Sequence, residues 1–436
     1  MNSGTSQIDF GELPVIQKAD VVVVGGGPGG LGAAVMAARN GAKTLLIERY
    51  GLPGGMASVG EVQPFMPNHL NGEESFDRPV FTEWRDRMAN YMPETWKGSK
   101  IRETLLLHPG AAALAAEELL LDAGVGLLYH HTLVGTVVAD RKIERIVLHA
   151  KGGFVAAEGK IFVDCTGDGD LAALAGCSFE VGDEDGVCQP MTTNFKLTGI
   201  NLPPDDQLSA WRMKLQEIFK RGQAAGHISS PRETLLFFSY CQNGVVHFNT
   251  TRVINCNPLD GASLSDAEVI SRRQIREIIT YLKEEAPEFR NAVLLSLAPA
   301  IGIRESRHIR GIARITRDDF VRAAKFPDAI ARCNYAIDKH SGIGAGTTGI
   351  AMKQSDYYEI PYGCVVARDV DNLTVGGRPI SVDAYIHASM RIMPCACSVG
   401  QAAGFAAAEA VKNSILPARL NGCAIRAGLK KLNAYL

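Results

Sequence analysis

The sequence predicts an α/β fold: a Rossmann-type three-layer domain carrying a β-meander, with an α+β unit inserted into it. Three observations predict it. A β-branched run, Ala19-Asp20-Val21-Val22-Val23-Val24, passes directly into a glycine cluster, residues 25–30, and then into a small-residue helical stretch. Residues 133–157 alternate in the manner of a meander. Between about 179 and 362 the texture changes, with Pro203-Pro204 and longer amphipathic stretches, before glycine-rich sequence returns near 363.

Each element follows in order. Residues 1–18 read as a tail or an added edge. The run at 19–24 is apolar on both faces, as a central parallel strand covered on both sides requires. A helix is expected over 31–40, stopped by Gly41, and a second strand over 43–48. Residues 51–60 read as loop, 80–89 as helix, 110–123 as an Ala/Leu-rich helix and 125–130 as a strand. The meander turns near Asp140-Arg141. A buried strand over 160–164 ends in Cys165-Thr166-Gly167-Asp168-Gly169-Asp170. In the inserted unit the pattern gives helices over 206–221 and 265–285 and strands over 234–239 and 245–249. A short strand at 372–375 and a long Ala/Gly-rich helix over 394–411 close the chain. The expected division is one discontinuous domain from 15–60, 100–178 and 363–436, with a substrate or cap domain from 61–99 and 179–362.

Composition narrows the function. The chain has 436 residues, 46% hydrophobic and 21% charged, an ordinary globular balance. Lys+Arg is 45 and Asp+Glu is 47, for a net charge of −2. No excess of basic charge is present to neutralise phosphates, so a nucleic-acid partner is not expected. The ten cysteines contain no CxxC pair. Zinc-ribbon and ferredoxin spacings are therefore missing, and reduced thiols in a cytoplasmic protein are expected. No signal-peptide h-region and no apolar run of membrane-spanning length is expected. A homodimer is compatible with this sequence.

The pattern Gly25-x-Gly27-x-x-Gly30 follows a strand and opens a helix, the context a dinucleotide fingerprint demands. The first glycine allows the tight turn, the second lets backbone approach a pyrophosphate, and the third lets helix pack on strand. The helix N-terminus presents free N–H groups to phosphate. Glu48 ends the second strand, placed to accept from ribose hydroxyls. An acid there argues against a 2′-phosphate, although Arg49 follows it. This spacing alone does not choose between FAD and NAD. Gly342-x-Gly344-x-Gly346 follows no clear strand and lacks the spacing, so it reads as an active-site or surface loop.

Four segments together resemble the FAD-dependent oxidoreductase family with the glutathione-reductase type flavin fold, in the broad neighbourhood of fumarate reductase flavoproteins. They are the fingerprint with Glu48 and Leu52-Pro53-Gly54-Gly55-Met56-Ala57-Ser58; residues 163–170; Gly302-Ile303-Arg304-Glu305-Ser306-Arg307; and residues 372–404. The resemblance implies FAD as cofactor. It implies that Gly25, Gly27, Gly30 and Glu48 hold the ADP half, with Pro28, Gly29 and Arg49 also binding the cofactor, and that Gly54, Gly55 and Met56 run along the pyrophosphate or flavin edge. Val134 would touch adenine. Thr166, Gly167 and Asp168 would close over the phosphate and ribityl region. Gly377 and Arg378 would pass beside the flavin, and the helix beginning at Met393 and Pro394 would aim its N-terminus at the flavin pyrimidine. Where relatives with covalent flavin carry a histidine before the glycine pair, this chain has Leu52-Pro53, so non-covalent FAD is expected.

The implied chemistry is hydride transfer between a small organic substrate and flavin N5, at CH–OH, CH–NH or an activated C=C. The alternatives are a flavoprotein monooxygenase and an electron-relaying FAD subunit of a larger complex. The candidates for handling substrate and proton are His387, Arg391, Arg304 and His340. His387 and Arg391 are four apart and share a face if helical. Arg304 belongs to a charged cluster with Glu305, Arg307 and His308 that also reads as a buried ion pair between the domains. His130-His131 reads as structural or exposed. Tyr357, Tyr358 and Tyr362 suit either a pocket wall or core packing.

Overall fold

The computed structural model describes residues 12–70, 74–94, 107–353 and 355–436. The domain boundary expected at 99/100 lies outside these residues. Strand β1 (Val15–Val24), helix α1 (Pro28–Arg39) and strand β2 (Thr44–Ile47) make the expected β-turn-α-β unit. β1 and β2 are parallel, with Val21 opposite Thr44. Helices α2 (Val80–Met88) and α3 (Pro109–Asp122) follow, then β3 (Gly126–Leu128). The meander is β4 (Thr132–Ala139), β5 (Lys142–Ala150) and β6 (Gly153–Asp164). Asp140 and Arg141 both have positive φ between β4 and β5, the conformation of a two-residue hairpin turn.

The sheet order is β3-β2-β1-β6-β5-β4, and a seventh strand, Leu373–Val375, pairs with the end of β6. Two expectations are corrected here. Residues 15–18 are not tail: they extend β1 along β6, with Val15 beside Ala156. The meander and the strand at 160–164 are not separate. Glu158-Gly159-Lys160 breaks the apolar pattern, but the backbone stays extended and Ala19 pairs Gly159, so β6 runs unbroken.

The inserted unit is built on β7 (Phe195–Thr198), α4 (Leu208–Ala224), β8 (Phe237–Ser239), β9 (Val246–Phe248), α5 (Gly261–Glu285) and β10 (Val293–Leu297). Its antiparallel order is β8-β9-β7-β10. A separate core forms against α4 and α5 from Phe195, Trp211, Phe219, Phe248 and Phe289, with the Phe195 and Phe248 rings stacked at 4.7 Å. This second core is confined to residues 195–292, whereas side chains between 309 and 366 join the larger core of the main sheet. Strands β11 (Ile337–His340) and β12 (Thr347–Ile350) form a hairpin. The glycine tract 342–346 is its turn, so a strand does precede it, contrary to the sequence reading.

Helices α6 (Ala384–Met390) and α7 (Met393–Asn413) complete the main layer. α1 lies against α7 at backbone distance. A Cβ at Gly404 would stand 2.0 Å from the Ala33 carbonyl oxygen, and one at Gly400 would stand 1.9 Å from that of Gly29. Among the described residues no helix is long and apolar enough to cross a membrane.

Candidate active site

β1 and β6 end side by side, and the loops leaving them line a groove. At Gly25 φ is +100°, and a Cβ would fall 2.2 Å from the Cys165 carbonyl oxygen, so only glycine turns the chain here. Gly27 is open: the nearest atom to its Cβ position is the Gly55 Cα at 3.9 Å. Pro28 stands at the start of α1, whose first N–H groups have no intrahelical partner. The Glu48 carboxylate accepts from the backbone N–H of Gly26 at 2.6 Å and of Tyr50 at 2.8 Å. Burial raises its pKa against those two hydrogen bonds.

The loop after β6 is organised by Asp164. Its carboxylate accepts from the Thr166 N–H and hydroxyl and from the Ala172 N–H. Burial raises this carboxyl to about 6. Asp168 then joins three distant segments. Its Oδ1 accepts from Ser306 Oγ at 2.7 Å and Arg378 Nη2 at 2.6 Å, while its carbonyl accepts from Arg307.

Most residues the sequence assigned to a cofactor meet in this groove: Gly25, Gly27, Pro28, Gly29, Glu48, Arg49, Gly55, Met56, Thr166, Gly167, Asp168, Gly377, Arg378 and Met393 line it. Four others do not. Gly30 packs beneath, its Cβ position 1.7 Å from the Gly25 carbonyl oxygen. Gly54 donates its N–H to the Gly26 carbonyl, bracing the loop. Pro394 sits in the first turn of α7, whose Met393 and Ala396 face the groove. Val134 lies one residue past the lining residues Thr132 and Leu133 on β4. The groove suits an ADP-bearing flavin. Gly27 leaves open a space that a Cβ would fill, and the buried Nε atoms of Arg378 and Arg391 have no partner among the described residues.

A second cavity of about 470 Å³ adjoins the groove and shares Met56, Ile303, Arg378, Arg391 and Met393 with it. Its far side comes from the inserted unit and from β11. Arg304 is aimed there, donating to the Pro190 carbonyl at 2.6 Å and Thr192 Oγ1 at 2.7 Å. It therefore stands apart from the ion pairs of its own segment, where Arg307 bridges to Asp170 and His308 meets Glu305. His340 lines the same cavity. Its Nε2 lies 3.3 Å from Asp338 Oδ2 and its Nδ1 2.8 Å from Thr347 Oγ1. Burial lowers the His340 pKa to about 4 against the Asp338 hydrogen bond, with Arg304 and Arg391 adding to the shift. Burial alone would raise Asp338, but His340, Arg391 and Arg304 bring it down to about 2. At neutral pH the pair is an imidazole beside a carboxylate. Arg391 donates to the Asp338 carbonyl at 3.1 Å.

His387 reaches neither cavity. It is fully buried on α6, 4.7 Å from the His308 ring and 3.7 Å from the Glu305 carboxylate. Tyr358 and Tyr362 are core residues, and Tyr357 packs on Phe76. Several lining residues escaped the sequence reading. His131 borders the groove, because β3 delivers it beside the end of β2, where its N–H bonds the Glu48 carbonyl. The order of the strands was the available signal for it. Arg232 and Asp338 carry no local motif.

Comparison with known proteins places these features in context. The curated digeranylgeranylglycerophospholipid reductase of Thermoplasma volcanium is 23% identical over 209 residues, which are 44% of this chain and about half (49%) of that protein. Among solved structures, a geranylgeranyl bacteriochlorophyll reductase-like protein of Thermoplasma acidophilum is 14% identical, with 91% of this chain and 80% of that one covered and a TM-score of 0.46. A flavin-dependent brominase is 12% identical, with 95% and 83% covered and a TM-score of 0.45. The FAD dependent oxidoreductase family matches residues 20–433, which takes in the fingerprint, the Asp168 loop, the Arg304 segment and the start of α7. With a match over almost its whole length, this chain belongs to the FAD dependent oxidoreductase family and is an enzyme that uses FAD.

Proposed function

We propose that the enzyme oxidises or reduces a small organic molecule held in the second cavity, at a carbon bearing OH or amine or at an activated C=C. The observation that supports this is the shared wall: the cavity opens onto the cofactor groove at Met56, Ile303, Arg378, Arg391 and Met393. Bound FAD supplies hydride acceptance or donation at N5. Arg378, Arg391 and the first turn of α7 set positive charge and helix dipole at that wall, where negative charge develops on reduction. The Asp338–His340 pair handles the accompanying proton from the opposite side. The inserted unit acts as the cap that selects substrate, and FAD is held non-covalently.

The test is spectroscopic. The purified protein should show a flavin spectrum whose pigment passes a filter after denaturation. Anaerobic addition of substrate-class alcohols or amines should bleach it, or enoates should reoxidise the reduced enzyme. Pigment that stays with the chain would refute non-covalent binding. Turnover that demands O₂ and yields a hydroxylated product would refute the hydride reading.

A further inference from the structure

The second cavity carries more positive charge than its surroundings neutralise. Arg232, Arg304, Arg378 and Arg391 all line it, and Asp338 is the single carboxylate among the described lining residues. Arg378 is ion-paired through Nη2 with Asp168, and Arg391 lies 3.6 Å from Asp338 Oδ2. Arg304 bonds only neutral oxygens, those of Pro190 and Thr192. Arg232 is 9% exposed, and its buried Nε has no hydrogen-bond partner among the described residues. Its own neighbourhood adds another cation, Arg252, whose guanidinium bonds the carbonyls of Ser341 and Gly346. Burial and then Arg252 lower the Arg232 pKa to about 10 against the nearby carboxylates of Asp338 and Glu233, and burial and then Arg232 lower that of Arg304 against Asp338. A guanidinium held out of water without an acceptor is expensive, and a fork of donors facing a cavity fits a planar oxyanion.

Position separates the four arginines. Arg378 and Arg391 border both the groove and the cavity, whereas Arg232 and Arg304 border the cavity alone. The remaining wall is largely apolar, with Val62, Met66, Leu236, Phe238 and Ile303. We infer that the substrate is an organic acid with an apolar carbon body, its carboxylate held by Arg232 and Arg304 and its reacting carbon turned toward Met56 and Met393. This rests on the oxidoreductase reading above and names the substrate class for it.

The test uses the flavin of the holoenzyme as reporter. Benzoate, phenylacetate and hexanoate are titrated against benzamide, phenylacetamide and hexanamide, following the perturbation of the flavin spectrum. The acids should bind about tenfold or more tightly than their amides. In Arg232→Gln the acids should weaken about tenfold to a hundredfold with amide binding and flavin content unchanged, and Arg232→Lys should recover part of the loss. Equal binding of acids and amides by the flavin-loaded wild type would overturn the inference while leaving the flavin reading intact. So would inorganic phosphate competing as well as the organic acids do. A protein that takes up no FAD would instead sink the underlying reading. The wild-type comparison decides the matter even where the variants fail to fold.

Discussion

At the scale of single residues, the site works by burying groups whose charge state is set by that burial and by neighbours. His340 is the clearest. Neutral and hydrogen-bonded to an ionised Asp338, it should be needed for turnover and not for holding flavin. We expect His340→Gln to lower kcat by about a hundredfold or more with the flavin content of the purified protein unchanged; parallel loss of flavin would mean a structural role. His247 gives a stability test. It is fully buried on β9, neither ring nitrogen has a partner among the described residues, and burial followed by Lys196 lowers its pKa to about 3. An unfolded histidine titrates near 6.5, so below that pH the unfolded chain takes up a proton the native chain refuses. Stability therefore falls as pH drops from about 6.5 toward 3, by up to about 1.4 kcal/mol per unit from this residue. Buried Asp77, raised by burial to about 8, and Asp164 act in the opposite direction, so the informative quantity is a difference. The Tm of His247→Leu should fall less steeply than wild type between pH 6.5 and 4.5; parallel curves would refute the assignment. Residue-level reading of the sequence placed the turn at Gly25 and Gly27 and the acid at the end of β2 where the backbone has them, because that chemistry is local. It missed Arg232 and Asp338 because a loop arginine and a strand aspartate gain meaning only from what the fold sets opposite them.

Elements were legible when one face was plainly buried. α1, α3, α5 and α7 fall within a few residues of their expected spans, and the Asp140-Arg141 turn is where the alternation placed it. The failures came from tertiary override. A polar Glu158-Gly159-Lys160 looks like a break in isolation, yet β1 holds it extended. The contact between α1 and α7 was carried by residues whose role was visible only as small size. In an exposed helix, Gly→Ala at position 404 would gain about 1 kcal/mol of helix propensity. Here the added methyl meets the Ala33 carbonyl oxygen at 2.0 Å, and overpacking costs about 1–3 kcal/mol or more. Gly404→Ala should therefore lower Tm and weaken flavin retention, because α1 and α7 both present their N-termini at the groove. An unchanged Tm would show that the helices can part without cost.

For the molecule as a whole, cofactor and fold are coupled. The groove is assembled from residues near 25, 48, 55, 131, 166, 303, 377 and 393, so bound FAD ties together segments that are otherwise joined by loops. Stripping the flavin should lower Tm, and added FAD should restore it with concentration, by about 2.7 kcal/mol at a hundredfold excess over Kd. A Tm indifferent to FAD would contradict this. The broad architecture was readable because the fingerprint and the closing helix bracket an insertion of different texture; the cavity between them was not, since it belongs to no single segment. The unbroken β6 has a consequence for how the chain is made. One flank is β1, from the beginning of the polypeptide; the other is the neighbouring β5 along its first residues and, over Phe162–Asp164, the strand Leu373–Val375. Loop closure over such separations is slow, and the end of β6 has no local strand to take the place of Leu373–Val375. While the chain is still emerging from a ribosome, the main sheet must wait with an apolar edge uncovered until residue 375 and the helix after it are free, whereas the inserted unit, whose core lies within residues 195–292, has all its partners long before. Biogenesis would then run from the middle outward, with the cap formed first and the cofactor house closed last.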